Sequence, residues 1–186
     1  MDTGADSRYE DIRIVDSEGM NSLKDKHCVL GVDEAGRGPV LGPMVYGICA
    51  VVAHKHETLK SDLGVDDSKQ LSEEKREEIF ANLSSLDSNS WLAYSLEVIS
   101  PKYISKMMLG RKKTSLNEIS HNSAMNLIQR CLDHDIKVDH VYLDTVGSAE
   151  SYQAKLETKF PQLNITVSKK ADSLYPVVGA ASICAK

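Results

Sequence analysis

The sequence has 186 residues, of which 41% are hydrophobic and 26% are charged, and its formal net charge is -5. This length and composition indicate one soluble globular domain that can bury a sizeable core. The acidic balance argues against nucleic-acid binding by bulk electrostatics, although a local basic strip or bound cations would still allow it. The longest apolar run, around residues 45–53, is far too short to span a bilayer.

The cysteines and the N-terminal segment indicate the cellular compartment in which the protein is expected. The chain has four cysteines: Cys28, Cys49, Cys131 and Cys184. They form neither a CxxC pair nor a metal-finger spacing, so we expect reduced thiols in a nuclear or cytosolic protein. Residues 1–20 are acidic and lack an apolar stretch, which argues against a secretory signal or a mitochondrial presequence. We expect residues 1–26 to form a flexible tail and residues 27–186 to form the domain.

The first half of the chain predicts three strands and two helices. CVLGVDEAG (28–36) is typical of a buried strand, and PMVYGICAVVAH (43–54) follows a Gly-Pro turn, so the two predict a hairpin. Residues 72–83 predict a helix with a serine N-cap and two glutamates in its first turn. Residues 90–99 alternate as in a third strand, and Ser100-Pro101 provides a cap and a first-turn proline for a short helix.

The second half predicts an alternation of helices and strands. Apolar residues recur at helical spacing over residues 116–132, which indicates a long amphipathic helix. HVYLD (140–144) predicts a fourth strand, SAESYQAKLETKF (148–160) a helix, and NITVSKK (164–170) a fifth strand. A last helix is expected to begin near Leu174. The order predicts an α/β fold with a mixed five-stranded sheet, three antiparallel strands followed by two parallel ones, and flanking helices.

Four acidic residues fall at the ends of the predicted strands. Asp33 and Glu34 end the first strand, Asp144 ends the fourth, and Asp172 lies between the fifth strand and the last helix. Sites in such sheets gather at the carboxyl ends of strands, near the switch in strand order. Two unit charges 4 Å apart repel by about 4 kcal/mol at an effective dielectric near 20, which bound cations would relieve.

Hard carboxylate ligands suit Mg²⁺ or Mn²⁺, and two such ions can activate a water for phosphodiester cleavage. The alternative is that each acid is a separate turn or cap residue, with Asp172 capping the last helix. For any one acid the two interpretations are balanced, whereas four acids at strand ends favour a shared site. Asp33 and Glu34 are neighbours in a strand, so joint ligation requires the chain to bend there.

The glycine-rich segment GRGPVLG follows the first two acids. It is not a phosphate-binding P-loop, because no Gly-Lys-Ser/Thr follows, and its glycine spacing does not fit the dinucleotide fingerprint. From the glycines alone, a hairpin turn is the better interpretation. Beside the acids, its backbone amides and Arg37 become a candidate clamp for a phosphate or a sugar. Lys69 is the only cation of the loop GVDDSKQ, and Lys112, Lys113, Lys169 and Lys170 add local positive charge.

Four motifs in this order resemble those of the type 2 ribonucleases H. They are DEAGRGPVLGPMV (33–45), DSKQLSEEKRE (67–77), YLDTVG (142–147) and KKADSLYPVVGAASICAK (169–186). The segment MLGRKKTSLNEISHNSA (108–124) is similar to the catalytic subunit of the eukaryotic heterotrimeric enzymes. The resemblance runs from about Cys28 to Lys186. It implies the ribonuclease H-like fold, hydrolysis of the RNA strand in RNA–DNA hybrids, and incision 5′ to single ribonucleotides embedded in duplex DNA, with roles in ribonucleotide removal and primer removal.

The same resemblance implies the roles of individual residues. The acids Asp33, Glu34, Asp144 and Asp172 match the catalytic ligands of Mg²⁺ or Mn²⁺. The backbone of Gly36, Arg37 and Gly38 matches the segment that reads the ribose 2′-OH, the group that distinguishes RNA from DNA. Lys69 and Asn117 match positions that hold backbone phosphate. His121 and His140 fall in helix and strand patterns that favour structural roles, and no Ser-His-Asp or Cys-His arrangement competes.

Family members continue beyond residue 186, which here falls within a predicted helix. We therefore expect a fragment or a shortened isoform that lacks the remaining helical region, a junction-stacking tyrosine and much of the surface for two accessory subunits. We also expect exposed apolar surface and low stability. The alternative function is a non-catalytic isoform that binds metal or hybrid weakly. A third interpretation is a generic cation-binding α/β domain without preference for ribose.

Overall fold

The computed structural model describes residues 11–38, 42–66, 68–87 and 91–186. These residues form one six-stranded sheet with helices on both faces. The strands are β1 (Ile12–Asp16), β2 (His27–Ala35), β3 (Met44–Val52), β4 (Leu92–Ile99), β5 (Lys137–Asp144) and β6 (Ile165–Ser168). The α-helices are α1 (Thr58–Ser61), α2 (Glu73–Asp87), α3 (Pro101–Leu109), α4 (Leu116–Asp133), α5 (Ala149–Lys159), α6 (Ala171–Leu174) and α7 (Pro176–Ala185). Short 3-10 helices span Glu18–Leu23 and Ala53–Lys55.

The helix starts follow the predicted capping chemistry. The Ser72 hydroxyl accepts a hydrogen bond from the Lys75 amide at 3.2 Å, as an N-cap does at the start of α2. The Ser100 hydroxyl accepts from the Tyr103 amide at 3.1 Å, with a proline in the first turn of α3. None of the helices in the described part of the chain is long and apolar enough to cross a membrane.

The sheet order is β1-β4-β3-β2-β5-β6. The pairs β1–β4, β4–β3 and β3–β2 are antiparallel, whereas β2–β5 and β5–β6 are parallel. The predicted mixed α/β sheet is therefore confirmed, and β2 is the strand at which antiparallel pairing gives way to parallel pairing. The carboxyl end of β2 is consequently the point where sites in open sheets form.

The sheet has six strands, not the predicted five. The additional strand, β1, comes from the segment that was expected to be a flexible tail, and Ile12 pairs with Ile99 at the sheet edge. The 3-10 helix after it buries Met20 and Leu23 almost completely. The prediction is wrong for residues 11–26 because a five-residue edge strand carries too little alternation to be recognised, while residues 1–10 lie outside the described residues.

Two glycines allow α7 to lie directly on the sheet. A Cβ at Gly31 of β2 would stand 2.3 Å from the carbonyl of Val177, and a Cβ at Gly47 of β3 would stand 2.7 Å from the Ala181 carbonyl oxygen. Since real Cβ atoms do not approach backbone this closely, only glycine permits this packing. The opposite face of the sheet packs against α4 and α5. Helix α7 therefore lies directly on the middle of β2 and β3.

The last helix begins later than predicted. Helix α6 ends at Leu174, Tyr175 is extended, and α7 begins at Pro176 in its first turn. Proline cannot continue a preceding helix but fits the first turn of the next one, so the predicted last helix starts at Pro176, after a separate short helix that was not predicted. All four cysteines are buried, and none of them forms a disulfide bond within the described part of the chain.

Candidate active site

The first two acids lie at the end of β2 and face opposite sides of the sheet. Asp33 is buried, and its carboxylate accepts a hydrogen bond from the Ser182 hydroxyl of α7. Glu34 faces Tyr46 and Arg37 on the side of α4. The bend that would bring both carboxylates to one face is absent from β2, which stays paired with β3 through Ala35.

Asp144 and Asp172 come from the next strand and from the short helix α6. The parallel register aligns Val32 with Leu143, so Asp33 and Asp144 follow side by side on neighbouring strands. An oxygen of Asp144 accepts from the Thr145 amide at 2.9 Å and from the Ala171 amide at 3.3 Å. Because Ala171 precedes Asp172, this bond ties the two acids together across the end of the sheet.

Lys69 approaches the same group of acids from the loop before α2. Its ammonium lies 3.5 Å from a carboxylate oxygen of Asp172, whose side chain is 2% exposed. The charge of the Asp172 carboxylate, followed by the charges of Asp33 and Asp144, raises the pKa of Lys69. Lys69 is itself largely exposed, so it can turn towards a bound anion.

Burial and mutual repulsion make the acids at the end of β2 hard to ionise. Burial, followed by the nearby charges of Asp144 and Asp172, raises the pKa of Asp33 to about 6, although the Ser182 hydrogen bond opposes this shift. Burial and then the charge of Asp33 raise the pKa of Glu34 to about 7, and Arg37 opposes the shift. The four acids therefore form one electrostatic unit that a cation would stabilise.

The chemistry of this donor set fits a hard divalent cation. Carboxylate oxygens that repel one another at a strand end are typical ligands of Mg²⁺ and Mn²⁺. Among the described residues, no three His, Cys, Asp or Glu side chains converge closely enough to enclose one ion. Asp144 is turned towards backbone amides, Asp172 towards Lys69, and Glu34 towards the side of the sheet opposite Asp33. Joint ligation by all four acids therefore stays a prediction that requires these side chains to reorient.

The glycine-arginine-glycine segment lies beside Glu34. Gly36 has φ +74°, and a Cβ there would stand 2.4 Å from the Pro43 carbonyl oxygen, so this turn requires glycine. The Arg37 guanidinium donates to the Ser120 hydroxyl at 3.2 Å and to the Asn117 side-chain oxygen. Gly38 is exposed. Residues 39–41 of the same loop lie outside the described residues.

Two predicted groups of substrate residues therefore lie on the two sides of the acids. Gly36, Arg37, Gly38 and Asn117 form one group, which α4 supports through Ser120 and Asn117. Lys69 is on the other side, next to Asp172. Lys112, Lys113, Lys169 and Lys170 are exposed, and their contribution to binding stays a prediction.

The two histidines have structural surroundings, as predicted. His121 stacks on Tyr152 with ring centroids 3.9 Å apart, and its Nε2 lies 3.0 Å from the Val146 carbonyl oxygen. The Nε2 of His140 lies 2.8 Å from the Thr166 hydroxyl. Neither ring is among the groups that hold or face the four acids.

The sequence interpretation missed the side chains that support the acids. Tyr46, fully buried in β3, faces Glu34, and Ser182 faces Asp33. The only sequence signal for Ser182 is that it is the one hydroxyl residue in the apolar segment PVVGAASICA. Asp33 comes from a distant part of the chain, so the role of Ser182 follows only from the packing of α7.

The comparisons with known proteins show the family of the chain. The family model for Ribonuclease HII matches residues 30–186. A relative from Homo sapiens, named as one of the subunits of Ribonuclease H2, is 54% identical over 159 residues, which cover 86% of this chain and 52% of the human one. The Arabidopsis thaliana protein of the same name is 52% identical, with the same two coverages. The chain thus spans about half the length of the curated relatives it matches.

Solved structures show the same fold. The RNase HII chain from the PCNA:RNase HII complex of Archaeoglobus fulgidus is 31% identical and matches with a TM-score of 0.69, covering 85% of this chain and 70% of that chain. Bst-RNase HIII, solved in complex with Mn²⁺, also has a TM-score of 0.69, covering 90% of this chain and 53% of that chain. At 20% identity, this second likeness bears on the fold alone.

Proposed function

The chain belongs to the ribonuclease HII family, and we propose that it carries the metal-dependent catalytic centre of an endonuclease that hydrolyses the RNA strand of RNA–DNA hybrids. The observation that supports this most strongly is the grouping of four acids at the switch point of the sheet. Two of these acids have raised pKa values, which is typical of carboxylates built to receive cations.

The proposed ligands of the cation are Asp33, Glu34, Asp144 and Asp172. Bound Mg²⁺ or Mn²⁺ would supply an activated water and stabilise the leaving oxygen of the phosphodiester. The chain's own part is to hold four carboxylates at one sheet end and to keep Asp33 and Asp172 away from bulk water. No side-chain nucleophile is required, which fits the structural surroundings of both histidines.

Recognition of ribose is assigned to the glycine-arginine-glycine segment. The backbone at Gly36 and Gly38 is unshielded by side chains, so it can approach the 2′-OH of a ribonucleotide closely. Arg37 and Asn117, which hold each other in place, would contact the adjacent phosphates, and Lys69 would do so from the other side. This arrangement supports incision 5′ to a single ribonucleotide in duplex DNA.

The wider roles of the protein are proposed from the relatives. Because those relatives are named as single subunits of Ribonuclease H2, we extend the proposal to assembly with two accessory subunits. Removal of ribonucleotides and of RNA primers during replication, in the nucleus, would follow from the proposed substrate. The exposed residues Lys112, Lys113, Lys169 and Lys170 would then provide the local positive charge that an acidic protein needs in order to bind a duplex.

The test is hydrolysis of an RNA strand annealed to DNA by the full 186-residue chain. We expect cleavage of the RNA strand in Mg²⁺ or Mn²⁺, none in EDTA, and none of a DNA duplex of the same sequence. Asp144→Asn is the matched control, because it keeps the side-chain volume and removes the charge. Hybrid binding without cleavage by a folded chain would favour the non-catalytic alternative, and equal treatment of both duplexes would favour a generic cation-binding domain.

A further inference from the structure

Helix α7 carries one hydroxyl in its interior, and this hydroxyl is fully buried. Ser182 is 0% exposed, and the residues around it in α7 are apolar. Burying a hydroxyl in such surroundings is unfavourable unless it is hydrogen-bonded. Within the described part of the chain, Ser182 meets the Ser68 hydroxyl at 2.8 Å, the Lys186 ammonium at 3.0 Å and the Asp33 carboxylate.

The number of hydrogens fixes the direction of these bonds. A lysine ammonium only donates, an ionised carboxylate only accepts, and each serine hydroxyl has a single hydrogen. Lys186 donates to both Ser68 and Ser182. The hydrogen of Ser182 is therefore the one available to Asp33, and the hydrogen of Ser68 goes to Ser182. The result is a directed chain of hydrogen bonds that starts at a cation and ends at a carboxylate of the candidate metal centre.

We propose that Ser182 is a positioning residue that sets the orientation of the Asp33 carboxylate for cation binding, and that Ser68 and Lys186 hold the Ser182 hydroxyl in its donating orientation. Partners of metal-ligating carboxylates act in this way because they fix the ligand before the ion arrives. The inference rests on the proposed function, since it concerns how the same acids are prepared for a divalent cation.

The chain of hydrogen bonds also connects two of the acids through one loop. Ser68 is followed by Lys69, whose ammonium contacts Asp172, while Ser68 reaches Asp33 through Ser182. The Arg76 guanidinium donates to the Ser68 carbonyl at 3.1 Å and to the Leu71 carbonyl at 2.6 Å, which anchors the loop to α2. The loop therefore supports Asp33 with a hydroxyl and Asp172 with an ammonium.

The test measures Mn²⁺ binding to the full chain by electron paramagnetic resonance, with no nucleic acid present. We expect Ser182→Ala to bind Mn²⁺ about tenfold more weakly than the wild type, the loss typical when the partner of a metal ligand is removed. Ser95→Ala is the matched control: Ser95 is also fully buried and donates to a carboxylate, that of Asp16 at 2.6 Å. Its Mn²⁺ affinity should equal that of the wild type.

If Ser182→Ala shows no cooperative unfolding in EDTA, that variant is not folded, and a second variant then tests the inference. Lys186→Met removes the cation at the start of the chain of hydrogen bonds, from an exposed residue next to the last turn of α7, and should weaken Mn²⁺ binding in the same direction. Unchanged Mn²⁺ affinity in a folded Ser182→Ala variant would overturn the inference alone. If the wild type shows no Mn²⁺ binding that is lost in Asp33→Asn, the proposed function itself is overturned.

Discussion

Asp33 and Glu34 are adjacent residues whose carboxylates have different surroundings. Asp33 contacts α7 through Ser182, whereas Glu34 faces Tyr46 and Arg37 on the other side of the sheet. Both are destabilised as anions by burial and by neighbouring acids. Apolar or neutral residues here would make a more stable strand end, so the acids are understandable as ligands that a cation stabilises.

The raised pKa of Asp33 gives the metal-free chain a defined pH dependence. Because the folded chain holds this proton more tightly than the unfolded chain does, the stabilising contribution is present below about pH 4 and is lost as pH rises through about 6. Asp33→Asn cannot ionise. In EDTA its free energy of unfolding should exceed that of the wild type by about 2–3 kcal/mol at pH 7.5 and by well under about 1 kcal/mol at pH 4.

Urea denaturation of both proteins at the two pH values measures this difference. Saturating Mn²⁺ at pH 7.5 is the control, since it should stabilise the wild type but not the variant. A gain for Asp33→Asn that is the same at pH 4 and pH 7.5 would contradict the burial of an ionised Asp33.

Arg37 is expected to contribute to substrate affinity. Hydrogen bonds to a charged group contribute roughly 1.5–3 kcal/mol, so Arg37→Ala should weaken binding of an RNA–DNA hybrid by about 10- to 100-fold. Fluorescence anisotropy in Ca²⁺ would measure binding without cleavage. Arg13→Ala is the matched control, because Arg13 is exposed on the edge strand β1. Equal losses in the two variants would show that only total charge matters.

At the scale of elements, α7 reaches the site because β2 and β3 have glycines beneath it. Asp33 can meet Ser182 only while the helix lies this close to the strands. The strand ends and the helix caps at Ser72 and Ser100 were predictable, since they depend on local periodicity and capping. The close packing of α7 was not predictable, because it depends on residues more than 100 positions apart that meet only in the folded chain.

Gly31→Ala tests the importance of this contact for stability. The new methyl group would overlap the Val177 carbonyl, so we expect a loss of about 3 kcal/mol in the free energy of unfolding. Gly42→Ala is the control, because a Cβ there meets no described residue within 4 Å and should change stability by about 0.5 kcal/mol or less. Urea denaturation in EDTA gives both values. Similar stability of the two variants would show that α7 can shift without cost.

At the scale of the whole molecule, the proposed function requires an acidic chain to bind an anionic substrate. Four of its acids lie together at one sheet end, where bound cations would reverse the local charge. Arg37 and Lys69 lie on the two sides of that group. The acids and both cations could be predicted from the sequence, because strand ends and a motif resemblance mark them. The orientation of each carboxylate could not, since it depends on contacts between distant segments, such as that of Asp33 with Ser182.

The most direct test of the central claim is incision of an end-labelled DNA duplex that contains one ribonucleotide, by the full chain in Mg²⁺ and then in Mn²⁺. We predict a cut 5′ to the ribonucleotide that requires the metal, that is absent with Asp33→Asn, and that is absent from an all-DNA duplex. An intact duplex after incubation with a folded chain that binds Mn²⁺ would contradict the claim that these acids form a catalytic centre.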